Sequence, residues 1–149
     1  MNIIDTRDLH DRLQELKDMQ DEIQNKKDEL EKLENYIPDE EEQAEYDEEH
    51  AEILKAIIDL ESDFDKDEQE ELDELENMES EIPEWQHGET LIPEDDWVEY
   101  CEELCKDLGY ISQDFPWWIE IDWDKTAENI RQDYSEIEYQ GTTYLYRSC

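Results

Sequence analysis

Between Asp39 and Glu49, eight of eleven residues are carboxylates: Asp39, Glu40, Glu41, Glu42, Glu45, Asp47, Glu48 and Glu49. No Lys or Arg interrupts them. Carboxylates at this density can solvate a helix face, hold a cation, or present a row of anions to a basic partner. The sharpest cation candidate lies further on, in "DFDKDEQEELDE", residues 63–74. Asp63, Asp65 and Asp67 occupy calcium-loop positions 1, 3 and 5, and Glu74 occupies position 12. The sharp turn at position 6 needs Gly, and Glu68 stands there; position 8 is normally apolar and holds Glu70. The segment therefore reads as a kink between helices, and neither a metal nor a cofactor is expected.

Catalytic patterns are lacking. There is no Gly-rich phosphate loop and no nucleophile elbow, and His10, His50 and His87 are scattered. His87, in "WQHGET", reads as a linker residue. Carboxylate pairs for acid–base work are too common here to be informative. Cys101 and Cys105 are four apart on one helical face and read as buried, reduced thiols, with Cys149 the odd third. The chain is not expected to be an enzyme.

The whole composition points to a basic partner. Fifty acids against 12 bases leave a formal net charge of −38 over 149 residues. Nucleic acid is excluded as a direct ligand, because phosphate backbones are bound by Lys and Arg. Anionic membrane is excluded on the same ground. Five Trp, eight Tyr and 36% hydrophobic residues argue against a disordered acidic tail. With no signal peptide and no long apolar run, a cytoplasmic location is expected.

The elements that must carry these residues divide near Pro83. Residues 1–82 hold 33 acids and 8 bases, and residues 83–149 hold 17 and 4. The first part reads as an acidic helical hairpin, coiled-coil-like, with a kink near 63–70; the second reads as a small α+β domain. Leu9, Leu16, Ile23, Leu30 and Ile37 recur at sevens and mark one seam. The companion seam, Leu13, Gln20, Lys27 and Glu34, is apolar only at its start. Asp5 and Asp8 suit a helix start, and Pro38 suggests the turn. The second helix carries Ile53, Leu54, Ile57, Ile58, Leu60 and Phe64. A turn at Pro38 sets Leu30 against Tyr46, Ile23 against Ile53, Met19 against Ile57, Leu16 against Leu60 and Leu13 against Phe64. A short helix with Leu72, Leu75 and Met78 on one face should follow the kink.

Beyond Pro83, "GETLI" reads as a strand. "PEDDWVEYCEELCKDLG" reads as a helix with Trp97, Cys101, Leu104 and Leu108 on one face and Gly109 as its stop. "DWDKTAENIRQDY" reads as another helix, with Trp123, Ala127 and Ile130 inward. "EIEYQGTTYLYR" reads as a β-hairpin turning at Gln140-Gly141, with Ile137 and Tyr139 aligned to Tyr144 and Thr142. Tyr146 extends that face, which is expected to pack on the helices. The Trp residues are expected mainly in a small core, with "FPWW" a candidate interface anchor.

A 30-residue helix is about 45 Å long. Spreading the −25 of residues 1–82 along such a hairpin gives roughly one charge per 2 Å, against about 1.7 Å for duplex DNA. A solubility face does not need that density, and self-repulsion costs stability.

Residues 119–147, "IEIDWDKTAENIRQDYSEIEYQGTTYLYR", resemble a segment of the ArdA antirestriction proteins. The likeness rests on Ile121, Asp122, Trp123, Ala127, Asp133, Tyr134, Gly141, Tyr144, Tyr146 and Arg147. The preceding "VEYCEELCKDLGYI" is similar to the acidic helix and Gly turn upstream in that family, so the resemblance covers about residues 95–147. It implies a DNA mimic from a phage or mobile element, whose carboxylates occupy the DNA groove of a restriction–modification enzyme. By position, Glu99, Glu102, Glu103, Asp107, Asp122, Asp124 and Asp133 would stand in for phosphates. ArdA proteins are elongated dimers, which leaves a homodimer open, and the acidic hairpin at the front is not part of their pattern. The expected function is a DNA-mimic inhibitor that competes for the basic DNA-binding groove of a host defence system, restriction–modification or CRISPR-type. The rival expectation is an acidic coiled-coil adaptor or chaperone for a basic protein.

Overall fold

The computed structural model describes residues 1–147 and has an α+β fold. In chain order its elements are β1 (Ile4–Asp5), α1 (Thr6–Glu34), α2 (Gln43–Asp63), α3 (Lys66–Glu81), β2 (Thr90–Pro93), α4 (Trp97–Asp107), α5 (Trp123–Ile130), β3 (Tyr134–Tyr139) and β4 (Thr142–Arg147). Two compact units form: Asp11–Asp73, and Met1–His10 together with Glu74–Cys149. The division differs from a boundary at residue 83, because the first ten residues and the end of α3 belong with the sheet. No helix among the described residues is long and apolar enough to cross a membrane.

In the Asp11–Asp73 unit, α1 and α2 run antiparallel. Lys27 Nζ lies 2.8 Å from Glu61, and His50 Nε2 lies 3.1 Å from Glu34. The expected pairing would have put Lys27 opposite residue 49, so the register is displaced by about three turns at that point. The cause is the connection. Helix α1 stops at Glu34, and residues 35–42 form a long link rather than a tight turn at Pro38. Ile37 is 89% exposed in that link, so the heptad seam ends after its buried members Leu9, Leu16 and Ile23 and half-buried Leu30. The Asp39 carboxylate accepts from the amides of Glu41 and Glu42 at 3.2 and 3.0 Å, which orders the chain just before α2.

The apolar seam in this unit is thin: Leu13, Leu16, Ile23, Ile53, Ile57 and Leu72 are buried, whereas Leu54 and Ile58 are exposed. The polar seam positions find partners within the chain. Gln20 donates to Gln69 at 3.5 Å, Lys27 pairs with Glu61, and Glu34 pairs with His50. The helical run breaks at Phe64–Asp65, and the Asp65 carboxylate caps α3 by accepting from the amides of Asp67 and Glu68. Residues 66–74 are therefore helix, and the calcium pattern of 63–74 cannot close as a loop.

The other unit holds a four-stranded antiparallel sheet in the order β1-β2-β4-β3. Thr6, fully buried, stitches its start: its hydroxyl donates to the Trp85 carbonyl at 2.9 Å and accepts from the Glu89 amide at 2.7 Å. The β3–β4 hairpin pairs Ile137 with Tyr144 and Tyr139 with Thr142, the register expected from its turn. Gln140 and Gly141 both have positive φ, 52° and 77°, which suits the right-handed twist of the two strands.

Both faces of the β3–β4 hairpin are covered: the Ile137, Tyr144 and Tyr146 face is buried as expected, but α4 and α5 lie on the other one. Leu145 packs with Ile92, Trp97, Cys101 and Ala127, and Tyr134 joins them, so α4 and α5 cover the Leu145 side. Ile137, Tyr144 and Tyr146 project to the other side and are buried as well. Trp97 Nε1 donates to the Ala127 carbonyl at 2.9 Å and ties α4 to α5. Gly109, with φ 75°, stops α4: the Tyr110 amide reaches back to the Cys105 carbonyl at 3.0 Å. Leu108, expected inward, is 59% exposed because α4 has already ended at Asp107.

Candidate partner-binding surface

The eight carboxylates of the Asp39–Glu49 tip are all exposed. Three have internal duties. Asp39 orders the link, Glu42 accepts a hydrogen bond from the Tyr36 hydroxyl, and Asp47 accepts from Gln43 at 2.8 Å. The Glu42 carboxylate also holds the Tyr36 phenol above its usual range. The carboxylates of Glu40, Glu41, Glu45, Glu48 and Glu49 have no hydrogen bond or ion pair among the described residues. Within α2, Glu45 and Glu49 fall one turn apart on one ridge, as do Glu48 and Glu52.

The Asp11–Asp73 unit carries 27 acids and 7 bases. Its bases are largely spent inside the unit: Arg12 on Glu15 and Glu71, Lys26 on Glu29, Lys27 on Glu61 and Lys66 on Glu70. None of these pairs involves a tip carboxylate. The 24 residues of α1 in this unit span about 36 Å, so the net charge of −20 amounts to roughly one per 2 Å.

In the sheet-bearing unit, α4 presents Glu99, Glu103 and Asp107 at successive one-turn intervals, all exposed. Glu102 is half-buried and paired with Lys106 at 2.9 Å, so it contributes less to the outward field. Asp122 caps α5 by accepting from the Lys125 amide at 3.0 Å, Asp124 follows in its first turn, and Asp133 stands exposed before β3. The sequence-selected carboxylates thus fall in both units, with Asp39 and Asp122 also shaping the backbone beneath them.

The two described thiols face inward on the same helix. Cys101 and Cys105 are free and buried, and burial foremost pushes the Cys101 thiol up to about 11, which suppresses its thiolate. Cys149 lies outside the described residues. His10 Nδ1 accepts from the indole of buried Trp85 at 3.0 Å, and among the described residues no cluster of His, Cys, Asp or Glu is arranged to hold a metal ion. Charge counting missed one feature of this surface, a cavity of about 730 Å³ between α4 and the start of α5. Its one advance signal was the apolar "FPWW". No family model, no curated protein and no solved structure matches the chain.

Proposed function

We propose that this chain is a non-enzymatic DNA mimic, which inhibits a host DNA-binding defence system by filling its basic groove with carboxylates. The observation that carries the reading is the tip: eight exposed acids from Asp39 to Glu49, five of them unpartnered among the described residues, with no cation between them. Leaving such a row unneutralised costs stability through repulsion, and that cost has a use where a basic groove relieves it. The resemblance of residues 95–147 to ArdA proteins supports the same reading, with a restriction–modification enzyme or a CRISPR effector complex as the target. Action in the cytoplasm of a bacterial host follows from that reading.

The test is displacement of a labelled duplex from a purified type I restriction–modification enzyme by variants neutralised region by region. Asp and Glu become Asn and Gln, either in residues 39–49 or at Glu99, Glu103, Asp107, Asp122, Asp124 and Asp133. A distributed field predicts graded loss in each set. Undiminished displacement by a protein carrying both sets would sink the proposal.

A second reading has one observation of its own. Leu54 and Ile58 lie one turn apart on α2 and are 38% and 64% exposed, as a helix awaiting a partner helix would be. It gives an acidic coiled-coil adaptor. Recovery of a helical partner whose binding is lost in Leu54→Glu/Ile58→Glu, without effect on DNA displacement, would favour it.

A further inference from the structure

The 730 Å³ cavity is walled by α4, by the segment joining α4 to α5, and by Trp123. Its lining mixes apolar Ile111, Phe115, Ile119, Ile121 and Trp123 with acidic Glu102, Asp107 and Glu120. Lys106 is the one base in that lining, and Glu102 holds it at 2.9 Å. The segment is shaped by two successive tight turns. The Phe115 amide donates to the Ser112 carbonyl and the Ile119 amide to the Pro116 carbonyl, both at 3.1 Å. Trp117 and Trp118 occupy the two central corners of the second turn, where side chains project away from the chain's own contacts. They are accordingly 91% and 68% exposed.

Two adjacent Trp held outward on a hydrogen-bonded turn cost a folded chain hydrophobic surface, and patches of this kind mark contact sites. Trp is also the residue most enriched among interface anchors, and its ring face attracts Arg and Lys. We propose that this cavity and the Trp117–Trp118 turn form a docking site for a basic amphipathic segment of a partner protein. An apolar side chain of that segment enters the cavity, while its Arg or Lys residues lie over the indoles and against Asp107 and Glu120. A second copy of this chain is a poor occupant, since it would bring another acidic edge and another −38. An anionic membrane is repelled for the same reason.

The inference does not rest on the mimic reading, because it is argued from the cavity and the exposed Trp turn and not from the carboxylate rows. Its contribution is contact energy that salt does not screen, beside a field that salt does.

The test is titration calorimetry of the full chain with three synthetic helical peptides of equal length: Leu/Arg amphipathic, Ser/Arg of equal charge, and Leu/Glu. The proposal predicts that the Leu/Arg peptide binds at least about tenfold more tightly than Ser/Arg, and that Leu/Glu does not bind. The Leu/Arg preference should vanish in Trp117→Ala/Trp118→Ala and in Phe115→Ala, and persist in Trp117→Phe/Trp118→Phe. Both Trp are exposed, so helical circular dichroism should match the parent. Equal affinity for the two Arg peptides would mean a charge field alone and overturn the proposal. So would a preference that survives the Ala variants, or binding of the Leu/Glu peptide. None of these outcomes depends on whether DNA is displaced from a defence enzyme.

Discussion

The guanidinium of Arg12 in α1 grips the carboxylate of Glu71 in α3 through two parallel hydrogen bonds, Nε to Oε1 and Nη2 to Oε2, each 3.1 Å. Glu71 is only 17% exposed, and the hydrogen bonds to it foremost raise the Arg12 pKa above its usual range. In a unit where acids outnumber bases 27 to 7, this is the cation with the most structural work. Hydrogen bonds to charged, partly buried groups are worth about 2 kcal/mol. Arg12→Ala should cost roughly that amount in urea denaturation. Arg12→Lys should recover little of it, because an ammonium cannot reproduce the fork. By contrast Lys27→Ala, which removes an exposed pair with Glu61, should cost less than about 1 kcal/mol.

Glu68 and Asp65 make the helix break sensitive to pH in both directions. The Glu68 carboxyl lies against Asp65, whose hydrogen bond holds Glu68 above its usual 4.5 and, with the amides of Glu68 and Asp67, holds Asp65 below its usual 3.8. A raised carboxyl contributes stability that is full below about 4.5 and lost as pH rises through its folded value. The lowered Asp65 contributes above about 3.8 and is lost as pH falls through its own folded value. The break is therefore tightest near pH 4, with Glu68 protonated and Asp65 ionised. Glu68→Gln carries a permanent donor and should flatten the decline in stability as pH rises above about 4.5. Chemical denaturation of the two proteins across that range measures the difference, which general relief of repulsion shares equally.

The β3–β4 turn offers a test of backbone conformation. Gln140 adopts φ 52°, a region that costs a non-glycine residue energy, and Gly141 sits at 77° with open space around its Cβ position. Gly141→Ala should destabilise the sheet-bearing unit by about 1 kcal/mol through backbone strain alone. Gln140→Asn should stabilise it by a few tenths, since Asn tolerates this region better. Thermal melts of the two variants check the opposite signs. Gln140→Asn forfeits the 3.3 Å bond from Gln140 Nε2 to Glu74, whereas the backbone amide's 2.7 Å bond to Glu74 depends on neither side chain, so it is the one to follow by amide exchange.

Much of this architecture was legible because local signals agreed. Gln140-Gly141 between alternating aromatic residues set the hairpin register, Gly109 ended α4, and Leu72, Leu75 and Met78 marked the inner face of α3. The α1–α2 register was not legible. A seam in which Gln20, Lys27 and Glu34 replace apolar residues penalises sliding only weakly, and Pro38 says where the chain turns without saying how long the link is. Strand β1 was hidden because two residues carry no periodicity and its partner Thr90–Leu91 lies far along the chain. The burial of Leu145 rather than Ile137 against α4 and α5 was equally hidden, since β4 is apolar on both faces. For the candidate surface, composition located the carboxylates, while which of them cap helices and which stand unpartnered depended on backbone geometry.

The central claim is that exposed carboxylates compete with DNA, and salt tests it most directly. The measurement is the concentration of this protein needed to displace half of a labelled duplex from a type I restriction–modification enzyme, corrected for the duplex's own salt dependence. A parallel arm uses a CRISPR effector complex. The account predicts displacement from at least one at about 50 mM salt, with the protein's derived affinity falling at least tenfold by about 200 mM. Absence of displacement from both at low salt, or an affinity indifferent to salt, would contradict it.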